Sequence, residues 1–188
     1  IEETTINTGI ESLKKNIEEV EHASGPVIVT LHRVENLHRK KRLKGFSKLL
    51  EEVTKKGQEV LFVLHQPTEE ILKKHGIIEE IEEIGIKIVP LIPYKEFVKK
   101  IASAPYVITD GGSIQEETAH LGVPCRRWRG KTERQNGLGQ NLVIRNYDKK
   151  TCEAFLNDFE DYRTEIRSEH SNPSSQVVDV LTEIMKKV

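Results

Sequence analysis

The chain has 188 residues, 36% of them hydrophobic and 31% charged, with a net charge of −1. That length suits one domain with a real core, and the balanced charge gives no reason to expect nucleic acid or an anionic membrane as a partner. The longest apolar stretches, PVIVTL and VLFVL, are strand-sized rather than membrane-spanning. Cys125 and Cys152, the only cysteines, are too few and too isolated for a disulfide scaffold or a zinc site and read as free thiols.

The chain opens on Ile1 and EETT, with no basic-then-apolar leader, which reads as a cytoplasmic protein. The absence of an initial methionine suggests a fragment. Residues 1–25 read as a linker or leading helix. PVIVTLH (26–32) is the first expected strand, and RLKGFSKLLEEVTKK (42–56) the helix after it. In that helix Leu43, Phe46, Leu49, Leu50 and Val53 fall at steps of three and four, one apolar stripe. EVLFVLH (59–65) is a strand, TEEILKKHG (68–76) and IIEEIEEIG (77–85) are helical, and IKIVP (86–90) is again a strand. YKEFVKKIASA (94–104), YVITD (106–110), SIQEETAHLG (113–122), VPCRRW (123–128) and NLVI (141–144) continue as helix, strand, helix, strand, strand. Gly57, Gly76, Gly85 and Gly122 stop helices where a left-handed residue is wanted. SEHSNPSS (168–175) reads as a loop or short hinge, and SSQVVDVLTEIMKK (174–187) as a helix that closes the domain within 172–188.

Most of these strands lack strict in/out alternation, as expected when helices cover both faces. Strand and helix in alternation with short links mean right-handed crossovers and a parallel sheet. The expected fold is α/β, a doubly wound parallel sheet of Rossmann-like type spanning residues 1–188. In such sheets a ligand sits beyond the carboxyl ends of the strands. Those ends carry His32–Arg33, His65–Gln66, Pro90–Pro93, Asp110–Gly112 and Arg127–Arg134.

Within YVITDGGSIQEETAHLG (106–122), Gly111 and Gly112 let the backbone bend and leave no Cβ in the way of a ligand. A helix starting near Ser113 turns free N–H groups and the positive end of its dipole toward the corner, where a phosphate is stabilised. Glu116 and Glu117 fall in the first helical turn, and a carboxylate there suits the hydroxyls of a ribose. The plainer reading is that Asp110 and Ser113 cap the helix and the glycines only turn the chain. TLHRVEN (30–36) adds His32, Arg33, Glu35 and Asn36 at the first strand end, the histidine fit to donate to a phosphate oxygen or to exchange a proton. RGKTERQNG (129–137) brings Arg129, Lys131, Glu133 and Arg134. The Arg134 fork suits a phosphate, or else a loop ion pair with Glu133 or a neighbour. HRKKR (38–42) reads as solvated surface.

TLHRVEN, ITDGGSIQEETAHLGVPC and RGKTER, in this order and spacing, resemble the C-terminal domain of non-hydrolysing UDP-N-acetylglucosamine 2-epimerases, and INTGIESL (6–13) resembles the segment leading into that domain. The resemblance implies the C-terminal half of a GT-B architecture, with twin Rossmann-like halves and the nucleotide sugar in the cleft between them. It implies UDP-GlcNAc and UDP-ManNAc as ligands, interconverted by elimination and re-addition of UDP with no metal and no cofactor. Catalysis falls to His32 beside the diphosphate, and UDP binding to His65, Phe97 on the uracil, Gly111, Gly112 and Ser113 at the phosphates, Glu117 at the ribose and Arg134 at the diphosphate. Arg33, Glu35, Asp110, Arg129 and Glu133 stand in support. The catalytic carboxylates belong to an N-terminal domain that does not precede Ile1, so the chain alone is expected to bind UDP weakly and not to epimerise. The full-length protein is expected to be a homodimer serving polysaccharide biosynthesis.

The chain departs from the family pattern in places. Gly111-Gly112-Ser113 replaces Ser-Gly-Gly, Gln135-Asn136 replaces Pro-Glu, PLIPYKEF is a residue longer, and CRRW puts Arg126 and Arg127 where an apolar strand is expected. A glycosyltransferase of the same architecture, a hydrolysing epimerase and a non-catalytic UDP-sugar-binding module are the alternatives.

Overall fold

The computed structural model describes residues 8–17, 23–144, 147–166 and 173–186. Six strands form one sheet: β1 (Val27–Val29), β2 (Val60–Leu64), β3 (Lys87–Pro90), β4 (Val107–Thr109), β5 (Cys125–Arg127) and β6 (Leu142–Ile144). Every pairing is parallel, in the order β3-β2-β1-β4-β5-β6. This is the doubly wound, Rossmann-like arrangement expected. The order reverses between β1 and β4, and a crevice opens at that reversal.

The helices are α1 (Thr8–Asn16), α2 (Val34–Leu37), α3 (Lys40–Lys55), α4 (Gln66–Lys74), α5 (Ile77–Glu83), α6 (Tyr94–Ser103), α7 (Gly112–Leu121), α8 (Lys149–Asp158) and α9 (Pro173–Lys186). β1 and β2 read as unbroken apolar runs because alternate residues serve two cores. Val27, Val29, Phe62 and Ile108 face the layer holding Phe46, Leu50 and Phe155. Ile28, Leu61, Val63 and Val107 face the layer holding Leu13, Val98, Ile101 and Leu121. The stripe Leu43, Phe46, Leu49, Leu50 and Val53 is buried as its spacing requires. Two helices are additions to the expected elements. The short α2 forms within TLHRVEN, and α8 buries Cys152, Phe155 and Leu156.

Three expectations are corrected here. The last helix does not close the domain. Its first turn is tied to α1, where Ser174 donates from N and from Oγ to Glu11 Oε2 (3.1 and 2.5 Å), but Val178, Leu181, Ile184 and Met185 are exposed. Residues 168–172 of the expected hinge lie outside the described residues. The second correction concerns Arg126 and Arg127, which are fully buried inside β5 where an apolar strand was expected. Third, α7 begins at Gly112, beside Ser113 as expected, but Glu116 and Glu117 fall in its second turn rather than its first.

Gly57, Gly76, Gly85 and Gly122 all adopt positive φ, as their placement after helices predicts. Their surroundings differ. A Cβ on Gly57 meets nothing within 4 Å, whereas one on Gly122 lands 1.9 Å from the Thr164 carbonyl oxygen. Gly57→Ala is therefore expected to cost about 1 kcal/mol, the left-handed penalty alone. Gly122→Ala should cost clearly more, because the backbone at Thr164 must also move. Equal losses in denaturant unfolding of the two variants refute this.

Candidate functional site

β1 ends at Val29 and the chain runs on through Thr30 and Leu31 to His32; β4, beside it, ends at Thr109 and leads to Asp110. The Thr30 and Thr109 hydroxyls meet at 2.7 Å across these ends. Beyond them the buried Asp110 carboxylate gathers the β1–α2 turn. It accepts from His32 N (3.0 and 3.3 Å), Arg33 N (2.9 Å) and Asn36 Nδ2 (2.9 Å), with His32 Nδ1 3.2 Å away. Asn36 is itself fixed, donating to the Trp128 carbonyl (3.0 Å) and accepting from Tyr147 Oη (2.9 Å). With Nδ1 turned to Asp110, Nε2 is the ring nitrogen left to a ligand.

Asp110 therefore does not cap α7, and neither does Ser113. The N-cap is Gly111, no side chain among the described residues caps the helix, and Ser113 is exposed. Gly111 has an ordinary extended backbone (φ −81°, ψ 139°), so neither glycine is there for a left-handed turn. Both are there for close approach: a Cβ on Gly111 comes within 2.9 Å of His32 Cε1, and one on Gly112 within 2.5 Å of Arg134 Nε. The histidine and the arginine thus lie against the backbone that opens the helix, and helix dipole, imidazole and guanidinium converge on one corner.

The arginines of the loop after β5 are held by acids. Arg134 pairs with Glu116 rather than Glu133, and Arg129 pairs with Glu35 (2.5 Å) and Glu133 (3.2 Å). Arg33 is half-buried, with Nε lacking a partner among the described residues. On the β2–β3 side of the corner lies a cavity of about 600 Å³. Its lining includes His32, His65, Phe97, Tyr94 and Ile114, so two of the expected nucleotide-side residues, His65 and Phe97, share one cavity with His32. Gly111, Gly112 and Arg134 lie outside that lining, at the α7 end of the same crevice.

Glu117 is buried on α7 and accepts from Tyr94 Oη (3.1 Å), while its Oε2 has no partner among the described residues. Tyr94 was missed in the sequence reading; its place at the start of α6, after a strand end, was the available signal. Gln115 and Thr132 were missed as well. Gln115 Nε2 donates to the carbonyls of Arg134 (3.2 Å) and Asn136 (2.8 Å), fastening the arginine loop to α7. Both cysteines are buried and free, and no helix among the described residues is long and apolar enough to cross a membrane.

The family model for UDP-N-acetylglucosamine 2-epimerase matches residues 3–178. The chain belongs to the UDP-N-acetylglucosamine 2-epimerase family. It is 31% identical over 131 residues to the enzyme of that name from Methanocaldococcus jannaschii, a match covering 68% of this chain and 36% of that one. It is 34% identical over 119 residues to the Methanococcus maripaludis enzyme, covering 62% and 32%. The M. jannaschii epimerase solved in complex with UDP-GlcNAc and UDP superposes with a TM-score of 0.71 at 26% identity, over 95% of this chain and 49% of that one. The matches thus span about a third of the curated relatives and about half of the solved chain.

Burial pushes the Glu117 carboxyl up to about 7; the Tyr94 hydroxyl opposes this and the charge of Glu116 adds to it. Since the folded value lies above the unfolded one of about 4.5, the folded state holds the proton more tightly. Stability should fall as pH rises from about 4.5 to about 7 and level off above that range. Glu117→Gln should remove that slope and melt higher than the parent at pH 8. Parallel melting curves for the two proteins from pH 4.5 to 8 contradict the assignment.

Proposed function

We propose that this chain is the nucleotide-binding half of a UDP-GlcNAc 2-epimerase and that the α7 corner holds the diphosphate of UDP. What carries the reading is the convergence of His32 and Arg134 on the bare Gly111–Gly112 backbone at an uncapped helix N-terminus. Two phosphates there accept from helix N–H groups, from the Arg134 fork and from His32 Nε2. Phosphate binding must displace Glu116 from Arg134. The exchange is favourable because a diphosphate carries more charge than one carboxylate and sits nearer the helix end.

In this reading Glu117 takes the ribose hydroxyls on Oε2, and the cavity bounded by His65 and Phe97 takes the uracil. Elimination breaks the C1–O bond to UDP as the C2 proton is removed, and the resulting 2-acetamidoglucal takes UDP back with the C2 proton on the opposite face. This half of the protein stabilises the departing diphosphate, whose charge grows as the bond breaks. His32, braced by Asp110, donates to the leaving oxygen. The acids that handle the C2 proton come from an N-terminal domain of the same enzyme. The exposed Val34, Leu91 and Tyr94 at the cavity, together with the apolar side of α9, support a second body closing over this one.

Calorimetric titration tests the assignment. The chain should bind UDP, form no UDP-ManNAc from UDP-GlcNAc, and lose about 1.5–3 kcal/mol of UDP affinity on Arg134→Ala, the range for charge-assisted hydrogen bonds. Glu117→Ala should weaken UDP and uridine while leaving inorganic pyrophosphate nearly unchanged. UDP isotherms that neither substitution alters sink the reading of this corner.

A further inference from the structure

Arg127 is fully buried in β5, pairs with no carboxylate in any ion pair among the described residues, and has Nε and Nη2 without a partner there. A guanidinium in that position is costly: burial lowers its affinity for its proton and the charge of Arg129 presses the same way, with Glu133 opposing. An apolar side chain would fill β5 more cheaply, so the residue needs an account outside sheet packing.

Its contacts supply one. Arg127 Nη1 donates to Gln115 Oε1 and to Thr132 Oγ1. Thr132 Oγ1 donates onward to Gln115 Oε1 (2.9 Å) and accepts from the Arg134 backbone N–H (3.1 Å). The Gln115 amide nitrogen holds the Arg134 and Asn136 carbonyls. The threonine hydroxyl spends its donor and both acceptor sites, and the glutamine amide spends both donors and both acceptor sites. Arg127 fixes the sense of this network. A guanidinium can only donate, so it forces the Gln115 oxygen toward itself and the Gln115 nitrogen toward the loop. Were the amide reversed, its oxygen would face two carbonyl oxygens and the loop would be repelled.

We propose that Arg127 is a positioning residue that, through Gln115 and Thr132, aims Arg134 at the glycine corner. The inference rests on the reading above of Arg134 as a diphosphate ligand. Arg127 touches no reacting atom in it; the residue trades stability for the placement of another guanidinium.

The experiment compares the parent chain, Arg127→Leu, Arg134→Ala and the double variant by titration with UDP and with uridine, alongside amide exchange of residues 132–137. Arg127→Leu should melt no lower than the parent, lose about tenfold or more in UDP affinity and keep uridine affinity within about twofold. It should add nothing to the loss already caused by Arg134→Ala, because it acts through that residue. The Arg134 and Asn136 amides should exchange faster in Arg127→Leu. Thr132→Val, which removes the shared hydroxyl, should reproduce the UDP loss and serves as the test if Arg127→Leu does not fold. UDP binding by Arg127→Leu within about twofold of the parent overturns the proposal, as does a loss that adds in full to that of Arg134→Ala. Failure of both variants to fold overturns it in favour of a purely structural role. If the parent chain binds no UDP, the reading of the corner fails instead, and the exchange rates alone decide for Arg127: unchanged rates overturn it.

Discussion

One carboxylate ties the two halves of the sheet together. Asp110 leaves the end of β4, yet its hydrogen bonds go to the turn after β1, two backbone N–H groups and the Asn36 amide among them. A buried carboxylate is tolerable only when its oxygens are occupied, and here they are. The consequence lies on the other side of the residue. Because Asp110 is committed to β1, it cannot cap α7, and that helix starts bare. The chain thus leaves the N–H groups of that helix end without a side-chain cap, because the obvious capping residue is committed elsewhere. The same bonds brace His32 from its Nδ1 side, so the imidazole and the helix end are positioned by a single group.

The glycines illustrate what the sequence could and could not disclose. Their place at a strand-to-helix corner was legible, as was the bareness of the backbone there, because absence of a Cβ is a local property. The reason they cannot be larger was not local. It lies in His32, 79 residues earlier than Gly111, and in Arg134, 22 residues later than Gly112, whose side chains press on that backbone. All six strands were visible, β1, β2 and β4 because a buried parallel strand is a short apolar run whatever its partners. The strand order, and with it the juxtaposition of His32 with Gly111, follows from crossover geometry at long range. α8 had a readable stripe in Cys152, Phe155 and Leu156, but its polar flanks, KKT and NDFEDY, masked it.

Side-chain networks were the least legible part. Gln115 reads from sequence as one more polar residue on a charged helix, and Thr132 as one more loop residue. Their roles exist only because β5 and α7 lie side by side and the loop between 129 and 137 folds back over both. Arg126 and Arg127 show the converse. Their charge argued against a buried strand, and the sheet took them in nonetheless. Arg126 donates to the carbonyls of Arg127 (3.3 Å) and Val143 (3.2 Å) and reaches Cys152 Sγ at 3.3 Å, so acceptors available only in the folded chain disperse its charge.

The distribution of charge around the corner follows from the same logic. Near the surface each guanidinium of the loop is matched by an acid: Arg129 by Glu35 and Glu133, Arg134 by Glu116. Such pairs contribute little stability, since solvent screens them and long side chains lose freedom in forming them. What they do is hold the forks in place, Arg129 against α2 and Arg134 against α7. Glu116 sits in the second turn of α7, past the N–H groups that favour negative charge most, so its partner Arg134 rather than the helix end holds it. Arg33 and Arg127 are exceptions, pairing with no carboxylate in any ion pair among the described residues. Surface acids thus hold the guanidiniums of the loop, while Asp110 sets the shape of the corner.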